Sequence, residues 1–221
     1  MISKRTFIII SSIACFTGCI GDFYATFVLG DFYPGYSHLL DTMSKLGTTA
    51  SPVSEVISLW WIILGFLTIL FAVGFSRAFD YHKKYVKIAT WLLIFYGLGE
   101  GLGSALFKAE LVKNTLNIPA ILHEVMGGIG IFAILFYPLA MIRIIPRSTA
   151  PGFYWLSILV IAVGIILIAL FLLPLYYKTL DILAQNKGLW QRLFVLDYYL
   201  YLMVIAIKMI KNQRIEHKLN L

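Results

Sequence analysis

The sequence predicts an all-α membrane protein, a single bundle of six transmembrane helices with a short outer amphipathic helix. Three observations support this prediction. Hydrophobic residues make up 60% of the 221 residues and charged residues 13%, with a mean hydropathy of +0.86, whereas soluble domains are about 45–50% apolar and ~25% charged. Apolar runs of about 20 residues, the length that crosses a bilayer, recur six times. The joints between them carry Gly, Pro and charge. We therefore expect one transmembrane domain over residues 1–221.

The six predicted spans follow one another with short connections. The first begins after Lys4 and Arg5 and imitates a signal peptide, but its apolar character continues to Leu29, which favours an uncleaved span. The fifth has no ionisable residue between Tyr154 and Tyr177, so we expect it to face lipid at the periphery. The predicted spans are residues 6–29, 53–75, 86–107, 120–142, 154–177 and 190–210.

The positions of Lys and Arg predict the orientation, because cytoplasmic loops are enriched in both. With the N-terminus inside, 12 of the 18 basic residues fall on the cytoplasmic side, and most acids fall in the outer half. Six spans then return the C-terminus to the same side. We expect a multi-pass protein of the cell (cytoplasmic) membrane with both termini cytoplasmic. The net charge of +7 reflects this topology and an attraction to membrane lipids, not nucleic-acid binding.

The longest predicted outer loop covers residues 30–52 and opens with a Pro-Gly turn. We predict a short helix over 37–46, with His38 and Ser44 on its polar face. This helix is either a solvated cap or the wall of a binding site. Its apolar residues recur at helical spacing and are Leu39, Leu40, Met43 and Leu46.

The third span contains an acid surrounded by glycines in the stretch YGLGEGLGSALF. Glu100 lies about eight residues, roughly 12 Å along a helix, from the nearest charged end at Lys108. A carboxylate at that depth costs on the order of 3 kcal/mol unless it is paired, neutralised or hydrated. Two glycine pairs predict close helix packing; they are Gly97 with Gly101 and Gly99 with Gly103.

Other ionisable residues lie at a similar depth in the outer half. Counted from the outer ends, they are about four to eight residues deep on four helices, within a slab on the order of 10 Å thick. Intramembrane ionisable residues are candidates for function, so we predict one outward-facing polar pocket. The alternative is internal glue, in which Arg192 or Lys108 pairs with the acids. The predicted pocket residues are Asp22, His38, Ser44, Glu100, Ser104, His123, Glu124, Arg192 and Asp197.

The residue types leave three hypotheses open for this pocket. It binds a lipid or small ligand, or serves a membrane-protein partner or a second copy of the chain. It belongs to an intramembrane lipid hydrolase, in which His123 and nearby carboxylates hold a metal or act as general base; the catalytic candidates are His123, Glu100 and Asp197. It belongs to a proton-coupled carrier that uses Glu100 and Asp197.

The sequence specifies no cofactor, and its metal signal is weak. His123, Glu124 and Asp22 are the candidate ligands, since zinc takes imidazole and carboxylate donors. However, neither an HxxxH nor an HExxH spacing is present.

Three stretches of the chain resemble an uncharacterised prokaryotic membrane family, domain of unknown function nine-nine-eight. They are the loop PGYSHLLDTMSKLG followed by a Pro, the Gly-rich third span followed by HEVMGG, and KGLWQRL entering the last span. The resemblance covers nearly the whole chain and implies six spans without an established activity. It supports Ser44, His123 and Arg192 as site candidates.

Overall fold

The computed structural model describes residues 2–79, 81–109, 111–112, 115–172, 183 and 185–219. These residues form six helices that are long and apolar enough to cross a membrane, which confirms the predicted fold class. Each begins within three residues of its predicted start; the predicted end of the fifth span, 173–177, lies outside the described residues. The helices are α1 (Lys4–Asp31), α2 (Ser54–Ala78), α3 (Lys83–Leu106), α4 (Ile118–Ile144), α5 (Pro151–Leu172) and α6 (Lys187–Leu219).

Side-chain caps set the starts of two helices. The Ser3 hydroxyl accepts a hydrogen bond from the Thr6 amide at 3.1 Å, and the Asn117 side chain accepts one from the Ala120 amide at 2.9 Å. Such caps satisfy amides that have no partner inside the helix. The Asn117 cap explains why α4 begins at Ile118, two residues before the predicted start.

The helices form a closed ring in the order of the chain. Each packs against the next one, and α6 packs against both α5 and α1. The interior of the ring holds a large apolar core, in which Phe71, Phe75 and Tyr137 are almost fully buried. Only 22% of the most apolar window of α5 is buried, against 44–50% for the other helices, as expected for a peripheral, lipid-facing span.

The third span changes its helical form around Glu100. After α-helix at Lys83–Tyr96, residues Gly97–Gly103 form a π-helix, and Ser104–Leu106 add a last α-helical turn. The π-helix lies between α2 and α4. A Cβ atom on Gly101 would lie 2.5 Å from the Cα of Gly65 on α2, and one on Gly99 would lie 2.7 Å from the amide nitrogen of Gly130 on α4.

The two predicted glycine pairs therefore face two different neighbours, and both contacts need the absence of a side chain. The apolar pattern gave no sign of the π-helix itself. Segments of this kind are common at functional sites.

The loop between α1 and α2 differs from the predicted helix over 37–46. It consists of turns followed by a five-residue 3₁₀-helix, Met43–Gly47. Met43 and Leu46 are buried as expected, whereas Leu39 and Leu40 are about half exposed. The reason is that donors on α6 hold the carbonyl groups of residues 38, 39 and 41, which a helix would need for its own hydrogen bonds.

A small hairpin is the exception to the all-α fold among the described residues. It joins α3 to α4 through the two-residue strands β1 (Leu111–Val112) and β2 (Thr115–Leu116), which pair antiparallel.

Candidate functional site

A cavity of about 350 Å³ lies inside the ring, at the end of the bundle that carries the α1–α2 loop. We call this end of the bundle the loop end. Most of the cavity wall is apolar and aromatic and includes Trp61, Phe132, Phe171 and Tyr199. The structure brings six of the nine predicted pocket residues together around this cavity: Asp22, Ser44, Glu100, Ser104, His123 and Glu124.

Asp22 lies on α1 and is almost fully buried, with 2% of its surface exposed. One carboxylate oxygen accepts a hydrogen bond from the Trp60 indole at 3.1 Å, and the other accepts one from the Tyr199 hydroxyl at 2.9 Å. Because these donors belong to α2 and α6, the carboxyl group connects three helices. Sequence analysis overlooked Trp60. The available signal was that a tryptophan deep in a span needs an acceptor for its N–H group.

Glu100 lies at the centre of the π-helix, and its side chain runs along α4. A Cβ atom on Gly127 would lie 3.6 Å from its Oε1 atom, and one on Gly130 would lie 2.8 Å from its Cγ atom. These two glycines leave the space that the carboxyl group occupies. Two further carboxyl groups, those of Asp22 and Glu124, line the same cavity.

No basic side chain within the described ranges forms an ion pair with Glu100. The cavity wall that the structure describes contains no Lys or Arg. Among the described residues, the carboxyl group therefore faces the cavity without a cationic partner.

His123 lies in the first turns of α4 and is 7% exposed. Its Nδ1 atom is 2.8 Å from the carbonyl oxygen of Phe107. A carbonyl oxygen only accepts, so Nδ1 carries the proton and donates it. This bond fixes the ring and leaves Nε2 as the atom available to a ligand, the arrangement that orients histidines in binding and catalytic sites.

The candidate metal ligands do not form a metal site. Within the part of the chain that the structure describes, no three His, Cys, Asp or Glu side chains are grouped so that they could hold a metal ion. His123, Glu124 and Asp22 all line the cavity but do not converge as a ligand set.

Arg192 does not line the cavity, although it was predicted to. It is 6% exposed and fastens the α1–α2 loop to α6. Its Nη1 atom donates to the carbonyl oxygens of His38 at 2.6 Å, Asp41 at 2.9 Å and Gly188 at 3.1 Å, and its Nη2 atom donates to the Tyr36 hydroxyl. We call these five residues the Arg192 anchor.

His38 of the anchor packs closely against aromatic and acidic neighbours. The centroid of its ring lies 4.6 Å from that of the Phe27 ring and 5.3 Å from that of the Tyr36 ring. Its Nε2 atom is 3.5 Å from a carboxylate oxygen of Asp31. Burial raises the pKa of Tyr36, and the Arg192 guanidinium opposes that rise. His38, which was predicted to line the pocket, is thus part of the anchor instead.

Asp197 also lies outside the cavity wall. Its Oδ2 atom is buried and finds no hydrogen-bond partner among the described residues. The structure therefore does not bring Asp197 together with Glu100.

The internal-glue alternative required Arg192 or Lys108 to pair with the acids of the spans. Arg192 instead binds backbone carbonyl groups, and Lys108 binds Ser54 and, at 3.1 Å, the exposed Glu55. Across the described ranges, neither cation pairs with an acid of the cavity.

Of the comparisons with known proteins, the one with family models gives a match. No curated protein and no solved structure matches the chain. Residues 17–208, which run from the first half of α1 into α6, match the model of a family described as "Protein of unknown function (DUF998)". This match confirms the resemblance seen in the three sequence stretches. The chain belongs to the DUF998 family.

Proposed function

We propose that the protein binds a lipid or another small amphiphilic ligand in the cavity at the loop end. The observation that carries the proposal is Glu100, an intramembrane carboxyl that faces a cavity of about 350 Å³ and has no cationic partner among the described residues. The cavity has the size of a small-molecule site, and such sites combine apolar walls with a few convergent polar groups. Asp22, Glu100 and the Nε2 atom of His123 supply those groups.

The division of hydrogen bonds supports a binding role over a structural one. The Asp22 carboxyl already has two donors, so it shapes the wall. Glu100 and His123 Nε2 retain binding capacity, and a buried polar group without a partner is costly. A ligand that hydrogen-bonds to both groups would remove that cost.

Ligand co-purification tests this proposal. The protein is extracted from native membranes in mild detergent, and bound small molecules are identified by native mass spectrometry. We expect Glu100→Gln to reduce ligand occupancy at least about tenfold, because one charged hydrogen bond contributes about 1.5–3 kcal/mol. Glu55→Gln is the matched control, since Glu55 is exposed at the same end of the bundle. Equal occupancy in the wild type and both variants would contradict the proposal.

A hydrolase is the second candidate, favoured by the orientation of His123. A ring held at Nδ1 with Nε2 directed to a ligand has the geometry of a general base. The test is release of products from phospholipid vesicles that contain the protein. Hydrolysis by the wild type that is lost in His123→Gln would support the hydrolase; no release by the wild type would exclude it for those lipids. The carrier hypothesis has no such support, because Asp197 lies outside the cavity wall.

The proposed location is the cytoplasmic membrane, with the loop end and the cavity facing outwards and both termini in the cytoplasm. The distribution of basic residues supports this orientation. Reporter fusions test it: a cytoplasmic fluorescent reporter should be active at the C-terminus, and a periplasmic enzyme reporter should be active in the α1–α2 loop. The opposite pattern would reverse the orientation.

A further inference from the structure

An apolar groove of about 510 Å³ runs along the outside of α3 and α4. Its walls include four side chains that are 43–52% exposed: Phe95, Val125, Ile129 and Phe136. These side chains face away from the interior of the bundle. In a membrane protein, a groove on this surface is open to the acyl chains of lipids.

The groove and the cavity adjoin along α4. They share three lining residues, Glu124, Gly128 and Phe132, which are spaced by four and therefore form one stripe of the helix. A Cβ atom on Gly128 would meet nothing within 4 Å. At this boundary the space beside Gly128 is therefore empty, and Glu124 lies about one helical turn away. We call this boundary the lateral portal.

The two compartments differ in chemistry. The cavity side carries three carboxyl groups, Asp22, Glu100 and Glu124, and no Lys or Arg within its described wall. The groove side is apolar apart from Glu124. From Glu124 to Phe136 the groove follows α4 for about 18 Å at ~1.5 Å per residue, which accommodates a hydrocarbon chain.

From this arrangement we infer that the ligand is a single-chain amphiphile with a cationic amine head. It enters sideways from the membrane through the lateral portal, places its amine among the carboxyl groups of the cavity, and leaves its chain in the α3–α4 groove. The cationic head supplies the positive charge that the described wall of the cavity lacks. This inference rests on the proposed function, since it names the class of ligand that the cavity takes.

Binding of probes to the full chain in phosphatidylcholine nanodiscs tests the inference. The probes share a twelve-carbon chain and differ in the head: dodecylammonium, dodecanol and dodecyl sulfate. We expect the cationic probe to bind the wild type at least tenfold more tightly than the other two. Methylammonium, which has no long chain, reports on the cavity alone.

Two glycine substitutions, one in the portal and one elsewhere as a control, test the role of the portal. Gly128→Leu places a side chain in the portal, and Gly152→Leu, at the start of α5, is the matched control because its Cβ atom would also meet nothing within 4 Å. We expect Gly128→Leu to weaken or slow binding of dodecylammonium at least tenfold and to affect methylammonium, which has no chain to pass the portal, by a smaller factor. Gly152→Leu should bind both probes as the wild type does.

Each contrary result identifies the part that fails. Equal binding of all three head groups would overturn the amine class and leave the cavity as a ligand site. Unchanged binding of dodecylammonium to Gly128→Leu would overturn the portal. If the wild type binds no probe but co-purifies a ligand that Glu100→Gln loses, the inference fails and the proposed function stands; if it has no such ligand, both fail.

Discussion

The Arg192 anchor and the cavity both hold buried ionisable groups at the loop end, yet they satisfy them differently. Both terminal nitrogens of Arg192 donate hydrogen bonds, to three carbonyl oxygens and to the Tyr36 hydroxyl. Glu100 in the cavity has empty space beside it and no basic partner within the described residues. The anchor uses a buried ionisable group to hold the structure, whereas the cavity holds a carboxyl group without a described ionic partner.

We therefore expect the Arg192 anchor and the cavity to contribute differently to stability and to ligand binding. Removing a buried charge that holds several hydrogen bonds is destabilising, because its partners lose their bonds. A carboxyl group without an ionic partner costs stability while it remains, a cost that functional sites commonly carry. The comparison predicts that substitution of Arg192 reduces stability, whereas substitution of Glu100 reduces ligand binding.

The largest expected effect on stability is that of Arg192→Ala. It removes the donors to the carbonyl oxygens of His38, Asp41 and Gly188 and so weakens the attachment of the loop to α6. The Leu189 amide and the Gln191 side chain still bind the loop. We expect a loss of about 3 kcal/mol in the free energy of unfolding, measured by denaturant titration in mixed micelles. Arg143→Ala, at an exposed position of α4, is the control and should change stability by less than about 0.5 kcal/mol. Similar losses in both variants would show that the anchor is not stabilising.

Asp22→Ala is expected to cost about 2 kcal/mol. The change leaves the Trp60 indole and the Tyr199 hydroxyl without their acceptor in a buried wall. In a Tyr199→Phe background the same change should cost less, because only one donor then remains, and a double-mutant cycle measures that difference. Strict additivity of the two changes would contradict the hydrogen bond between them.

Tyr36→Phe is expected to cost about 1 kcal/mol at neutral pH, since Arg192 loses one acceptor. Burial raises the pKa of Tyr36 above its ordinary value of 10.0, so the folded protein holds this proton more tightly than the unfolded chain. The resulting stability is intact below about pH 10 and declines as the pH rises above it.

The difference between the wild type and Tyr36→Phe should therefore narrow above pH 10, as followed by unfolding titrations at several pH values. Tyr24→Phe, at a position that is 71% exposed, is the control and should not alter the pH profile. A constant difference across the range would argue against the buried phenol.

The smallest expected effect on stability is that of Glu100→Gln. The side chain has no basic partner to lose, so the free energy of unfolding should change by less than about 0.5 kcal/mol, in either direction. Unfolding titrations of the protein after ligand removal measure this change. A loss of 2 kcal/mol or more would place Glu100 with the structural residues and erase the distinction between cavity and anchor.

Much of the fold was predictable because it depends on local patterns. Apolar run length gave the six spans, and glycine spacing gave the close packing of the third span on its neighbours. The π-helix at Gly97–Gly103 was not predictable, since the spacing of apolar residues does not record where a helix widens.

The candidate site was predictable only in part, because residue counting gives depth along a helix but not direction around it. Asp197 and Tyr199 lie at nearly the same depth, yet two residues correspond to about 200° around an α-helix. Tyr199 therefore faces the cavity, and Asp197 does not line it. Similarly, the path of the α1–α2 loop decides that His38 meets Arg192, and no periodicity encodes that path.

The ring also has a consequence for biosynthesis. Since each of the helices α2 to α5 packs on the helix before it, the first five helices can assemble in the order in which the ribosome delivers them. The closing contact comes last, when α6 meets α1. That final helix carries both Arg192, which fastens the loop, and Tyr199, which binds Asp22. A nascent chain that stops before α6 thus lacks the Tyr199 donor to Asp22 and the side of the cavity that α6 closes.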